Sequence, residues 1–192
     1  MTVQKPDSLK GVTAAVITLR PITDNDLEFI FRLYASTRAD EKALIGWPDE
    51  EWEVFLRMQF GLQHSQYMQN YQNPSFDIIM LGPMPVGRLY VNRGEREIRI
   101  IDICLLPGYR GRGIGSALMG RILLEGDATG VPVTLHVERN NPALELYRRL
   151  GFQMEDSTDV YCYMKRSPGE TDTHSGLSWV NRPRGGPDDQ AA

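Results

Sequence analysis

Three glycines alternate with larger residues in the run Arg110-Gly111-Arg112-Gly113-Ile114-Gly115. An apolar stretch, Ile98 to Leu106, precedes it and reads as a strand. Ile114, Leu118, Met119, Ile122 and Leu123 follow at the spacing of an amphipathic helix. A strand, a nearly bare loop and a helix N-terminus together make an anion site. Backbone N–H groups point outward, the helix dipole favours negative charge, and glycine lets an oxyanion approach the main chain. Arg110 and Arg112 add positive charge, so the expected ligand carries a pyrophosphate.

Two common phosphate loops are excluded by count. A P-loop requires Gly-Lys-Ser/Thr, and the chain contains no Gly-Lys pair. A dinucleotide-binding loop requires a third glycine three residues after the second. That position is Ser116 counting from Gly111 and Gly113, and Leu118 counting from Gly113 and Gly115. The run instead fits Arg-x-x-Gly-x-Gly. Downstream lies a second motif, Leu135-His136-Val137-Glu138-Arg139-Asn140-Asn141-Pro142-Ala143-Leu144-Glu145-Leu146-Tyr147, closing on Leu150-Gly151-Phe152.

In this order and separation the two motifs resemble those of the GCN5-related N-acetyltransferase (GNAT) superfamily, over roughly Val16 to Lys165. The resemblance implies an α/β (α+β mixed) fold: a central mixed, mostly antiparallel sheet of about seven strands with helices on both faces. It implies acetyl-CoA as cosubstrate and transfer of its acetyl group to an amine by direct attack. In such a fold the strand before the loop parts from its neighbour, and Ile103, Cys104 and Leu105 would offer main-chain groups to the pantetheine arm. Arg110 would lead the loop, and Gly111, Arg112, Gly113, Ile114, Gly115 and Ser116 would cradle the pyrophosphate. Tyr147 falls where the family places its general acid. A phenol keeps its proton at neutral pH and can pass it to a departing thiolate. Asn140 would bond the pantetheine or a bridging water, or else cap the next helix, a role open to Asn141 as well. Glu97 is the candidate base; on a regular strand it shares a face with Arg99, Ile101 and Ile103, with Asp102 opposite. His136, Glu138 and Glu41 are the other options. A non-catalytic coenzyme A-binding sensor or assembly module is the alternative function.

The elements that must position these residues follow from the rest of the chain. Ala14 to Ile22 reads as the first strand, and Leu27 to Tyr34 as a helix entered through Thr23-Asp24-Asn25-Asp26. Ala35 to Gly46 reads as a connection. A second helix starts at Trp47-Pro48-Asp49 and runs to about Tyr71, with Gly61 as a break. Its apolar residues are Trp52, Phe55, Leu56, Phe60 and Tyr67. Phe76–Leu81, Val86–Asn92 and Arg96–Leu106 are strands. Gly113 to Glu125 is a helix, Val131–Val137 a strand, Pro142–Leu150 a helix, and Phe152–Lys165 two strands split near Asp156-Ser157-Thr158-Asp159. Residues 1–13 read as a flexible N-terminal segment, 14–166 as the domain, and 167–192 as a disordered tail whose one apolar patch is Leu177-Ser178-Trp179-Val180.

With 192 residues, 41% apolar, the chain can bury a full core. Its net charge of −4 gives no electrostatic case for nucleic acid. Cys104 and Cys162 make no disulfide framework or metal spacing, so no metal is expected and a reducing, cytoplasmic setting is. Val12–Leu19 is too short for a membrane span. The expected partners are acetyl-CoA and an amine-bearing small molecule or peptide. No membrane partner is expected, and a homodimer fits the resemblance.

Overall fold

The computed structural model describes residues 16–71 and 74–169. The expectations for residues 1–13 and for the tail beyond Gly169 lie outside the described residues. Strands β1 (Ile17–Pro21), β2 (Pro74–Leu81), β3 (Met84–Arg93), β4 (Ile98–Leu105), β5 (Val133–Glu138), β6 (Gln153–Ser157) and β7 (Tyr161–Arg166) form one sheet in the order β1-β2-β3-β4-β5-β7-β6. Only β4 and β5 run parallel; every other neighbour is antiparallel. The mixed, mostly antiparallel sheet of seven strands is the expected one.

Helices α4 (Ile114–Thr129) and α5 (Leu144–Arg149) cover one face. Leu118, Met119, Ile122 and Tyr147 pack there on Leu89, Ile100, Leu135 and Val137. On the other face α1 (Leu27–Ala35) packs Phe29, Ile30 and Leu33 on Ile78, and α3 (Asp49–Asn70) closes over α1 through Trp52 and Leu56. Asp26 fixes the entry to α1. Its carboxylate accepts two Arg20 N–H bonds, at 2.7 and 2.8 Å, and the Thr23 N–H at 2.8 Å. The Arg20 bonds, more than the others, hold this carboxyl well below its usual range against the opposing effect of burial.

The structure corrects the sequence reading at four places. Residues 39–45, expected as connection, form α2 (Ala39–Ile45), which buries no side chain. Its evidence was propensity and a left-handed Gly46 stop, without an apolar face to mark it. α3 continues through Gly61, where an added methyl would meet nothing within 4 Å. α4 runs past Glu125, and its Gly126 is explained by contact with β5: a Cβ there would lie 2.8 Å from Val133 Cγ2. Finally, β4 is not regular. The β3–β4 register shifts between Tyr90 and Val91, which face Asp102 and Ile100, so Ile101 is bulged out. Beyond it the alternation inverts, and Asp102 lies on the same face as Arg99.

Gly87, opposite Leu105, is a further close approach. A side chain there would overlap the Cys104 carbonyl oxygen and the Leu105 side chain. Gly87→Ala should therefore lower stability by about 1–3 kcal/mol in urea unfolding. Gly61→Ala, in open space on a helix, should raise it by about 0.5–1 kcal/mol.

Candidate active site

β4 and β5 pair over only three residues, Ile98↔Val133 to Ile100↔Leu135. Beyond Ile100 the strands part, while β5 goes on to pair with β7 as far as Glu138. This fork leaves one edge of β4 with no described strand beside it. The Leu106 N–H donates to Val86 O. Main-chain groups alternate along a strand, so those of Cys104 also turn toward β3, and those of Ile103 and Leu105 turn into the fork. Of the three expected pantetheine residues, Ile103 and Leu105 thus present backbone groups. Cys104 presents neither its backbone nor its side chain, which packs toward α1. Burial pushes its thiol up to about 11.

At the end of β4 the chain turns through Pro107–Tyr109 into the glycine loop. Gly111 and Gly113 take φ of 70° and 79°, a region that favours glycine. A Cβ at either would meet nothing within 4 Å, so the loop faces open space. Gly113 is also the residue before α4, whose first N–H groups are free of helical partners. A bare, left-handed turn opening a sixteen-residue helix beside an unpaired strand edge fits a diphosphate with an amide-bearing arm. Within the loop the residues divide by role. Ile114 is buried in the core and offers only its backbone, whereas Arg112 and Ser116 are exposed. Arg112 lies over the Tyr109 ring at 5.3 Å. Arg110 turns back to donate from Nε to Leu105 O at 2.8 Å, and so braces the fork instead of reaching along the loop.

Tyr147, on α5, is 7% exposed, with its ring edge-on to Phe152 at 5.8 Å. Burial, and secondly the Asp102 charge, push its phenol up to about 12. Asp102 is thus the charge that adds to burial in holding the Tyr147 proton. Asn140 is exposed at the end of β5. Asn141 closes the turn ahead of α5, its Oδ1 accepting the Ala143 N–H at 2.9 Å, and the helix itself has Ala143 as its N-cap with no side-chain bond, so neither asparagine caps it.

Sequence reasoning missed the polar cluster around Asp102. Arg88, 4% exposed, holds Asp102 Oδ2 at 2.5 Å and Gln63 Oε1 at 3.1 Å, while its Nε is buried with no partner. Burial works against the Arg88 charge, but Asp102, with smaller help from Tyr90, Cys104 and Tyr67, leaves its pKa raised. Tyr67 meets Tyr90 edge-on at 5.9 Å, and burial raises both phenols. The detectable signal was Arg88 itself, the one charge within the run Val86–Val91 of β3.

Glu97 is not brought to this cluster. It precedes β4, at the end away from the loop, where Oε2 accepts the Thr134 hydroxyl at 2.9 Å and Oε1 lies 3.4 Å from Arg99. The expected common face with Ile103 is broken by the bulge at Ile101. His136 accepts from Arg99 at 2.5 Å, and burial followed by the Arg99 charge lowers its pKa. Glu41 pairs with Arg38 on α2. On the α3 side of the fork, Tyr67, Tyr71, Arg99, His136, Thr158 and Tyr161 line an open cavity of about 400 Å³ floored by Ile100 and Ile101. Among the described residues no group of three His, Cys, Asp or Glu could hold a metal ion, and no helix is long and apolar enough to cross a membrane.

The acetyltransferase (GNAT) family model matches residues 33–152, well over half of the chain, and the chain belongs to that family. Acetyl-CoA is the family's cosubstrate. An uncharacterized N-acetyltransferase of Methanocaldococcus jannaschii is 27% identical over 149 residues, 72% of this chain and 62% of that one. The ribosomal protein bS18-alanine N-acetyltransferase of Haemophilus influenzae is 35% identical over 74 residues, 38% of this chain and 50% of that one. The matches thus span less than two thirds of either relative. PaiA N-acetyltransferase of Thermoplasma acidophilum, solved in complex with coenzyme A, shares the fold with a TM-score of 0.59 at 19% identity, over 79% of this chain and 99% of that one.

Gly113→Asp places a side chain and a negative charge in the loop. Calorimetry should show coenzyme A binding abolished in that variant, and an unchanged affinity would remove the loop from the site.

Proposed function

We propose that this GNAT family member is an N-acetyltransferase that moves the acetyl group of acetyl-CoA to an amine by direct attack, with Tyr147 as general acid. The supporting observation is convergence. The glycine loop follows β4 directly, the backbone of Ile103 and Leu105 turns into the fork, and Tyr147 stands on α5, the helix that follows β5. The loop N–H groups hold the pyrophosphate, and the β4 edge takes the pantetheine amides as an added strand would be taken. That arm carries the thioester into the fork. The amine enters from the α3 side, toward the negative Asp102 carboxylate, and loses its proton to solvent. Its nitrogen forms a bond to the thioester carbonyl carbon. As the tetrahedral centre collapses, the C–S bond breaks and the sulfur takes the Tyr147 proton. The tetrahedral nitrogen, which carries one proton more than an amide, releases it to the solvent from which the tyrosinate recovers its own, so a neutral amine and thioester become amide and thiol with no net proton change, and an amine arriving as ammonium releases one proton in all. Asn140, exposed two residues beyond β5, bonds the arm or a bridging water. The reaction needs no metal. Two unpaired cysteines suit a reducing cytoplasm.

Tyr147→Phe should keep coenzyme A affinity and lower kcat roughly a hundredfold, read as thiol release over a panel of amines. Binding without release in the wild-type protein would instead support a coenzyme A sensor. The working form of Tyr147 is protonated, and its pKa lies near 12. A pH–rate profile should therefore show no alkaline fall from this group until the pH approaches that value.

A further inference from the structure

Among the described residues that line the cavity beside the fork, Arg99 is the one that carries a fixed charge. Its Nη2 lies 2.5 Å from His136 Nδ1. A guanidinium only donates, so Nδ1 accepts, and the neutral ring then carries its proton on Nε2 as a further donor. The lowered His136 pKa agrees with that neutral state. Glu97 meets Arg99 only at 3.4 Å, and its other oxygen is held by Thr134. Arg99 uses two of its five N–H donors in these contacts. Among the described residues, those lining the cavity carry one fixed positive charge, an imidazole and the phenols of Tyr67, Tyr71 and Tyr161, and none is a carboxylate; Glu97 approaches Arg99 from outside this lining. Such a donor set matches a carboxylate.

The bulge at Ile101 supplies the second part. By bringing Asp102 onto the face of Arg99, it sets a negative and a positive side chain side by side along β4. At ~3.3 Å per residue their backbones are at most about 10 Å apart. Asp102 directly precedes Ile103, whose main-chain groups turn into the fork, so the Asp102 end is the one beside the fork. We propose that the acceptor is an amine that also carries a carboxylate several bonds away, the carboxylate held by Arg99 and His136 while the amine lies at Asp102. The inference rests on the transferase reading above. It disfavours polyamines, for which the cavity wall offers a positive charge where a negative one is needed.

The test is a matched set of acceptors with acetyl-CoA, read by thiol release. 6-Aminohexanoate is compared with hexylamine and 1,6-diaminohexane, and a peptide beginning Ala-Glu with one beginning Ala-Gln. The first pairing represents a free amino acid and the second an acidic peptide. In at least one, the carboxylate-bearing acceptor should have a kcat/KM at least tenfold higher, carried mainly by KM. Arg99→Gln should bring that ratio to about one, and Arg99→Lys, which keeps the charge, should retain part of it. Equal rates within both sets, or a preference that survives Arg99→Gln, overturn the anion site and leave the transferase intact. No release from any acceptor, by protein that binds acetyl-CoA in calorimetry, overturns the transferase reading and this inference with it.

Discussion

β4 and β5 share hydrogen bonds for three residues and then part, and the rest of the molecule is organised around that separation. A parallel pair needs a long crossover, and here the crossover is the glycine loop with α4. The loop sits at the end of β4 because that is where the crossover must begin. α5 follows β5, so Tyr147 is carried to the other side of the gap. The antiparallel pairings of β4 with β3 and of β5 with β7 hold the two arms rigid on their outer sides. An unpaired edge inside a sheet ordinarily leaves N–H and C=O groups unsatisfied. Arg110 satisfies one of them at Leu105, and the others face the open space the arm of a coenzyme would fill.

The Ile101 bulge is the second constraint. It costs a ladder position but decides which side chains meet under α3. Without it Asp102 would point into the apolar face among Leu89, Ile100 and Leu135. With it the carboxylate meets Arg88. Burying this pair is expensive, and a well-packed apolar pair of similar volume is often as stable or more so. Packing alone does not require it. Its charges act on Tyr67, Tyr90 and Cys104, and that of Asp102 also acts on Tyr147. The same low polarity that raises the surrounding phenols and thiol keeps them protonated.

The two faces of the sheet divide the labour. The face under α4 and α5 is apolar and carries the main core. The face under α1 and α3 is apolar only toward β2, and beyond Tyr67 it opens onto Arg99, His136 and Tyr161. α3 is long enough to span both regions. It anchors at Trp52 and Leu56 and extends its later turns, with Gln63, His64 and Tyr67, over the polar cluster.

Several things were fixed by the chain in one dimension. Gly111 and Gly113 occupy left-handed positions that any other residue would strain, so a loop of that kind is legible as letters. The strand–loop–helix order, the seven strands and the position of Tyr147 after Asn140 follow from local periodicity and turn chemistry, which depend on neighbours in sequence. Other features depend on neighbours in space. Ile101 is an ordinary strand residue, and only the pairing of β3 with β4 makes it a bulge. That one-residue slip moved Asp102 to the face of Arg99 and removed Glu97 from the company of Ile103, because side chains alternate with a period of two. Arg110 read as a phosphate contact until folding put Leu105 O within its reach. The cavity wall gathers Tyr67 from α3, Arg99 from β4, His136 from β5 and Tyr161 from β7. No local pattern links residues so far apart in the chain, and only the packing of the sheet against α3 brings them together.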